Sequence, residues 1–416
     1  MNKVWHSEYH RAIDRHIFLC NGYNTQSSTK DPIIKVMIVS YEDAVLVTPG
    51  GIRHESLVID TRTGRILPPE MAYRAQQHID AGQWALYPGL INAHDHLEFN
   101  HYPRTRWRER YENASQWAQN MQPYLDEEPY TSLRRLPLQD RCLIGGLKNL
   151  LSGVTTVAHH NPLHKPLKKR DFPVQVIQRY TWAHSIYLTS EHEIKKAHAG
   201  CGIFMIHLAE GTDDSAEKEL HQLAEYGCLD EKTIVIHGVG LHNETQKQAI
   251  QESGGLVWCP SSNLFLLGAT AAVSEWYEAG KLMLGSDSRL TADGDLLDEL
   301  RAAYQTEQLN SEALFHLVTD FAANMLKLKD KGDLQPGMQA DVFALPRPAH
   351  GDYYLHLIES RRTQILWVMR SGKIVWEQTN QESNCTLEGI PYRLDRQTMR
   401  TYEKSTISEP LLARHR

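Results

Sequence analysis

The sequence lacks the features that mark membrane, secreted or nucleic-acid-binding proteins. It contains no run of about 18 apolar residues, and its first twenty residues have no apolar core typical of a signal peptide. The formal net charge of −7 argues against a nucleic-acid-binding surface. None of the six cysteines forms a C-x-x-C pair, which favours reduced thiols over a disulfide framework. We therefore expect a cytoplasmic protein whose partner is a small molecule.

Histidine, in contrast, is abundant. The chain has 22 histidines among 416 residues, and 41% of the residues are hydrophobic, as in a globular protein. Histidine is the commonest metal ligand and the usual acid or base near neutral pH. The number alone proves nothing, so the argument depends on where these histidines lie.

The texture of the chain changes three times. Residues 1–88 contain short Val/Ile-rich runs broken by Gly and Pro, which predict β-strands. Residues 89–331 alternate buried-type strands with amphipathic helices and predict a (β/α)8 barrel, with an open doubly wound sheet as the alternative. Residues 332–379 return to strands, and residues 380–416 form a polar tail. We expect both β-rich ends to build one sandwich.

Residues of the types that bind metals lie at the ends of several predicted strands. His94 and His96 follow the apolar run WALYPGLI, His207 ends IFMIH, His237 ends TIVIH, and Asp287 ends KLMLGSD. In a barrel of parallel strands the carboxyl ends open onto one face, which carries the chemistry. Such a set suits zinc or iron(II). The alternative is that each residue is merely polar and leaves a strand.

The pair His94 and His96 is separated by one residue. In an extended segment, side chains at i and i+2 leave the same face, so one strand can offer two ligands to one ion. Asp95 would then point away from the metal, where we expect a structural role.

Seven segments together resemble the amidohydrolase superfamily, within it the mononuclear aminohydrolases and chlorohydrolases typified by S-adenosylhomocysteine, guanine and atrazine-type deaminases. They occur in family order. The segments are PGLINAHDH (88–96), GVTTVAH (153–159), HLAEGTDD (207–214), IHGVGL (236–241), CPSSNLFL (259–266), LGSDS (284–288) and GDLQPGMQADVFAL (332–345). The resemblance implies a distorted (β/α)8 TIM barrel with a composite β-sandwich domain formed by both chain ends.

The resemblance also implies a site with one divalent metal per chain, Zn²⁺ or Fe²⁺. The implied ligands are His94, His96, His207 and Asp287. By the same resemblance, His237 orients the attacking water, Glu210 carries a proton to the ring nitrogen of the substrate, and Asp287 is also a base. No lysine stands in the position of a bridging ligand for a second metal.

The chain departs from the family in one stretch. Only 53 positions separate Val154 from His207, fewer than the family pattern needs. One βα unit must therefore be abbreviated, around residues 172–192.

Three residues are candidates for contact with substrate: His160, Trp182 and Arg289. His160 follows a predicted strand, and Arg289 lies two residues after Asp287, where it could bind an anionic group. Packing within the protein is the alternative for each.

We expect an amidohydrolase-type hydrolase that acts on carbon–nitrogen bonds other than peptide bonds. The favoured reaction is hydrolytic deamination of a small aminated heterocycle or amidine. The alternatives are hydrolysis or closure of a cyclic amide or imide, as in imidazolonepropionase-like members, and a non-catalytic scaffold. A homodimer is possible, because dimers are common in such a family.

Overall fold

The computed structural model describes residues 37–200, 202–292, 294–349, 351–379, 385–387 and 389–405. The predictions for residues 1–36 and for the end of the tail, residues 406–416, lie outside this part of the chain. Within it, no helix is long and apolar enough to cross a bilayer.

The described part of the chain contains the following strands. They are β1 Ile38–Glu42, β2 Val45–Thr48, β3 Gly51–His54, β4 Leu57–Asp60, β5 Arg65–Leu67, β6 Gln77–Asp80, β7 Trp84–Pro88, β8 Leu90–Asp95, β9 Val154–His159, β10 Gln175–Val176, β11 Tyr180–Ser185, β12 Ile203–Leu208, β13 Thr233–His237, β14 Gly255–Trp258, β15 Leu282–Leu284, β16 Val342–Pro346, β17 Trp367–Arg370, β18 Lys373–Gln378, β19 Cys385–Leu387 and β20 Ile390–Leu394.

Its α-helices lie mainly between the central strands and after them. They are α1 Ala114–Met121, α2 Tyr130–Arg134, α3 Leu138–Leu150, α4 Glu191–His198, α5 Asp214–Glu225, α6 Asn243–Glu252, α7 Pro260–Leu267, α8 Ser274–Glu278, α9 Leu296–Tyr304, α10 Ser311–Leu317, α11 Asp320–Met325, α12 Tyr353–Glu359 and α13 Arg396–Glu403. The N-cap residue of α6 is His242, and Asn243 is the first residue of the helix.

The centre of the fold consists of two parallel sheets. Strands β8, β9 and β10 form one, in the order β10-β9-β8, and β11 to β15 form the other in chain order. Every residue of β12 and β13 is buried, which explains the continuous apolar runs of the sequence, because both faces of such sheets are covered. Where β15 leaves its sheet, the backbone N–H of Asp287 donates to the carbonyl of His94 at 3.1 Å and links the two sheets.

The stretch between β9 and β12 is unusually short. Only residues 177–179 separate β10 from β11, although both strands pair in parallel with their neighbours. A complete parallel pair needs a crossover of about a dozen residues, so one βα unit is largely missing here. The stretch predicted to hold the abbreviated unit, residues 172–192, contains the two-residue β10 and β11, which extends to Ser185.

Strands from before and after the parallel sheets share one large sheet. In this eight-stranded sheet, β7 lies between β2, with which it is parallel, and β16, with which it is antiparallel. A four-stranded sheet of β5, β4, β1 and β6 is the other member of this region. Buried side chains from both sheets form one apolar cluster, which includes Leu46, Ile59, Leu86, Val342 and Trp367.

Gly145 in α3 lets this helix approach the segment that follows the predicted metal ligands. A Cβ at Gly145 would lie 2.2 Å from the carbonyl oxygen of Leu97. We expect Gly145→Ala to lower the free energy of unfolding by about 1–3 kcal/mol, the usual cost of overpacking. Urea denaturation measures this, with the exposed Gln139→Ala on the same helix as control. Equal urea midpoints for the two variants would show that the backbone at Leu97 can move aside without a cost in stability.

Candidate metal centre and substrate cavity

The carboxyl ends of the parallel strands bring five predicted site residues together. His94 lies in β8, His96 directly after it, His207 in β12, His237 at the end of β13 and Asp287 three residues after β15. Nitrogen atoms of the first three all lie within 4.8 Å of one another. All five residues are buried, with exposed fractions of 7% or less.

The histidines are arranged as lone-pair donors to a common point. The Nδ1 of His207 donates to the backbone carbonyl of His184 at 2.8 Å, which leaves its Nε2 as an acceptor. This Nε2 faces the Nε2 of His94 at 3.2 Å. Ligand atoms on a tetrahedral zinc ion lie roughly 3.3 Å apart. Burial and the neighbouring imidazoles lower the pKa of His94 well below its usual value, and a neutral imidazole is the form that binds a metal. The residues therefore fit a divalent cation.

Asp287, which follows the carboxyl end of β15, completes this group. Its Oδ1 lies 3.8 Å from the Nε2 of His94 and 3.7 Å from that of His96. Burial would raise the pKa of Asp287, but the facing histidines and hydrogen bonds from Ser288 and Thr291 outweigh it and lower the pKa below its usual value. Asp287 is therefore ionised, as an acidic metal ligand must be.

A second pair of groups stands beside this centre. The Nδ1 of His237 donates to the side-chain oxygen of Asn263 at 2.8 Å, so its Nε2 is directed at the carboxylate of Glu210, 3.6 Å away. Burial raises the pKa of Glu210 well above its usual value, and the charge of Asp287 adds to this. Glu210 can thus hold a proton near neutral pH, next to an ionised Asp287.

A buried polar network supports the strand that carries the two paired histidines. The Asp95 carboxylate points away from them and lies 3.0 Å from the Nζ of Lys148 on α3. Lys148 also donates to the hydroxyl of Ser286 and to the carbonyl of Asp287. Asn149 donates to Asp95 at 2.7 Å. The network ties the ends of β8 and β15 together, as a structural role for Asp95 requires.

Sequence reasoning missed Lys148. The one local sign was a lysine inside the apolar run LIGGLKNLL of α3.

A cavity of about 410 Å³ opens onto the metal-type ligands. Its size lies in the usual range of small-molecule sites, about 300–1,000 Å³. Its walls come mainly from α1, α5 and the loop after β11. They include Phe99, Trp117, Gln119, Gln122, Ser185, Tyr187, Ser215, Glu219, Gln222, Leu266 and Leu290. No described lysine or arginine lines it.

A larger groove of about 1660 Å³ lies at the other ends of the strands. It is lined by residues that precede them, such as Gly202, Lys232 and Lys281. The groove contains none of the five predicted site residues, so the smaller cavity is the candidate active site.

The three proposed substrate contacts are not among the described residues that line this cavity. The Nε2 of His160 bonds to the carbonyl of Ala183, and its ring packs on that of His207, 4.3 Å between centroids. Trp182 packs against His160. Arg289 is 1% exposed and directs its Nε at the carbonyl of Gly294. The structure therefore does not bring these three residues to the substrate side.

Comparison with known proteins identifies the family of one segment of the chain. Residues 182–375 match the amidohydrolase family. This segment is an amidohydrolase family domain. It includes His207, Glu210, His237 and Asp287, whereas the H-x-H pair precedes the matched segment.

Curated relatives named as deaminases match part of the chain. The 5-methylthioadenosine/S-adenosylhomocysteine deaminase of Carboxydothermus hydrogenoformans is 29% identical over 196 residues, 42% of this chain and 45% of that protein. The 8-oxoguanine deaminase of Pseudomonas aeruginosa is 28% identical over 152 residues, 33% of this chain and 34% of that protein. The chain matches about half of the length of the curated relatives, or less.

Solved structures of the same fold extend over most of the chain. An adenosine deaminase from Xanthomonas campestris with bound zinc has a TM-score of 0.65 and 17% identity, covering 82% of this chain and 92% of that one. Atrazine chlorohydrolase from Arthrobacter aurescens complexed with zinc has a TM-score of 0.69 and 15% identity, covering 88% and 99%. At these identities the likeness concerns the fold of the amidohydrolase domain and its neighbouring sheets.

Proposed function

We propose that the protein is a metal-dependent hydrolase that releases ammonia from a small aminated heterocycle or amidine. The observation that carries this proposal is the convergence of His94, His96 and His207 with Asp287, beside the pair of His237 and Glu210. Relatives named as deaminases of 5-methylthioadenosine, S-adenosylhomocysteine and 8-oxoguanine support the reaction type. The enzyme class is a hydrolase of carbon–nitrogen bonds other than peptide bonds.

The proposed metal is zinc, with iron(II) as the alternative. Two solved structures of similar fold carry zinc, and a set of histidines with one carboxylate suits it. The ligands would be His94, His96, His207 and Asp287. A divalent metal held there would lower the pKa of a water molecule to about 7 and so supply a nucleophile at neutral pH.

The side chains around the metal would move the protons of the reaction. His237, oriented by Asn263, holds the attacking water through its Nε2. Asp287 accepts a proton from that water. Glu210 delivers a proton to the ring nitrogen, so that the –NH2 group can leave as ammonia once it has been protonated.

The proposed architecture is a distorted (β/α)8 barrel over residues 89–331 from which one βα unit is largely lost. Residues 1–88 and 332–379 would contribute the two parts of a β-sandwich, and the predicted tail, residues 380–416, would add β19 and β20 to its larger sheet. The hydrogen bond from Asp287 N to His94 O, which links the two parallel sheets, supports the closure of the barrel.

Ammonia release by the zinc- or iron-loaded protein tests the function directly. The panel comprises aminated purines, pyrimidines, pterins, triazines and cyclic guanidines. We expect release from at least one, abolished in His94→Ala, since this variant loses a ligand at the centre of the site. His192→Ala, an exposed histidine on α4, is the control and should keep the rate. If no compound of the panel releases ammonia although one metal is bound per chain, deamination is rejected and cyclic amides or imides are favoured as substrates.

A further inference from the structure

A third carboxylate, Glu219, lines the cavity together with Glu210 and Asp287. It lies on α5, and its Oε2 accepts a hydrogen bond from the backbone N–H of Ala209 at 2.7 Å. The carbonyl of Ala209 in turn accepts from Gly240, so the contact point of Glu219 is itself fixed. No described residue donates to the other oxygen, Oε1. Glu219 is therefore held in place with one oxygen left for a ligand.

The protein provides no described cation for this carboxylate. The guanidinium groups of Arg104 and Arg106 lie over the ring of Phe265, 4.5 Å from its centroid. Arg289 directs its Nε at the carbonyl of Gly294. Among the other polar side chains that line the cavity with Glu219, Gln222 and Ser215 are uncharged.

We propose that Glu219 binds a cationic amine substituent of the substrate, and that this part of the cavity excludes phosphate and carboxylate groups. The inference rests on the proposed function for the place of the reacting ring at the metal centre. A charge-assisted hydrogen bond to a partly buried carboxylate is among the stronger polar contacts, whereas two like charges there repel. Burial raises the pKa of Glu219 to about 7, so its charged form gains most from a cationic partner.

Three hydroxamate probes test the proposal without any turnover. The hydroxamate group anchors each probe at the metal, and the tails, of graded length, end in ammonium, methyl or carboxylate. Calorimetric titration of the zinc-loaded protein measures their affinities. At the best length we expect the ammonium tail to bind at least about tenfold more tightly than the methyl tail, and the carboxylate tail to bind more weakly than both.

Two variants on the same helix separate charge from structure. Glu219→Gln keeps an oxygen for the N–H of Ala209 but removes the charge, so it should abolish the ammonium preference. Glu217→Gln, at an exposed position, should retain it. Equal affinities of the three tails at every length, no binding by any of them, or a preference that survives in Glu219→Gln would each overturn the proposal.

The outcome is separable from that of the ammonia assay. An ammonium preference in a protein that deaminates nothing would leave Glu219 as a cation-binding group and remove the proposed reaction. Ammonia release without any preference among the tails would support the proposed reaction and reject Glu219 as a cation-binding group.

Discussion

Glu210→Gln is expected to lower kcat by a factor of about 10²–10⁴ while one metal per chain stays bound, because glutamine cannot pass a proton to the substrate. The Glu210 carboxylate lies 3.6 Å from the Nε2 of His237 and lines the cavity, but Glu210 does not belong to the cluster of His94, His96 and His207. The measurement is the rate of ammonia release from the best substrate of the panel, with metal content determined on the same sample.

The control for this variant is Glu225→Gln, which changes an exposed glutamate on α5. It should keep both rate and metal. If glutamine acts only on proton transfer, kcat and kcat/KM should fall together, since the lost interaction belongs to the transition state. A full rate in Glu210→Gln would remove this residue from the mechanism, and a loss of metal would assign it to the ligand set instead.

Lys148→Ala is expected to lower the free energy of unfolding by about 3–5 kcal/mol, the typical cost of breaking a buried ion pair on one side. The side chains of Lys148 and Asp95 are exposed by 1% or less, and their charged atoms lie 3.0 Å apart. Alanine would leave the Asp95 carboxylate without its cation beneath the H-x-H pair. Urea denaturation of the metal-free protein gives the value.

An exposed ion pair provides the comparison for this second variant. Lys247 and Glu244 lie 2.8 Å apart on α6, with more than half of each side chain exposed, so Lys247→Ala should leave the free energy of unfolding nearly unchanged. We also expect Lys148→Ala to weaken metal affinity, because the lysine bonds to the carbonyl of Asp287. A Lys148→Ala protein as stable as Lys247→Ala would mean that Asp95 finds another partner or a proton.

The sequence was most informative where local spacing determines geometry. Two histidines at i and i+2 on a strand share a face, and parallel strands open onto one end, so the convergence of His94, His96 and His207 could be predicted. Lys148 and Glu219 could not, since their positions at the site depend on how α3 and α5 pack.

The three predicted substrate contacts lie outside the described lining of the cavity for a related physical reason. Arg289 lies two residues after Asp287, and in a strand its side chain would lie on the same face as that of Asp287. The sequence therefore predicts that Arg289 contacts the substrate. Asp287 has a φ of +51°, which ends the extended alternation, and the chain turns Arg289 away from the cavity. His160 ends on the interior side, against His207, rather than on the substrate side.

The position of β7 between β2 and β16 has a consequence for synthesis on the ribosome. Ala85 of β7 pairs with Leu345 of β16. The edge of β7 that faces β16 therefore stays unpaired until most of the chain has been translated. Such sequence-distant pairing slows folding and leaves an unpaired, apolar strand edge open to aggregation in the meantime. The nascent chain would therefore benefit from a chaperone that shields β7 until the strands beyond the parallel sheets emerge.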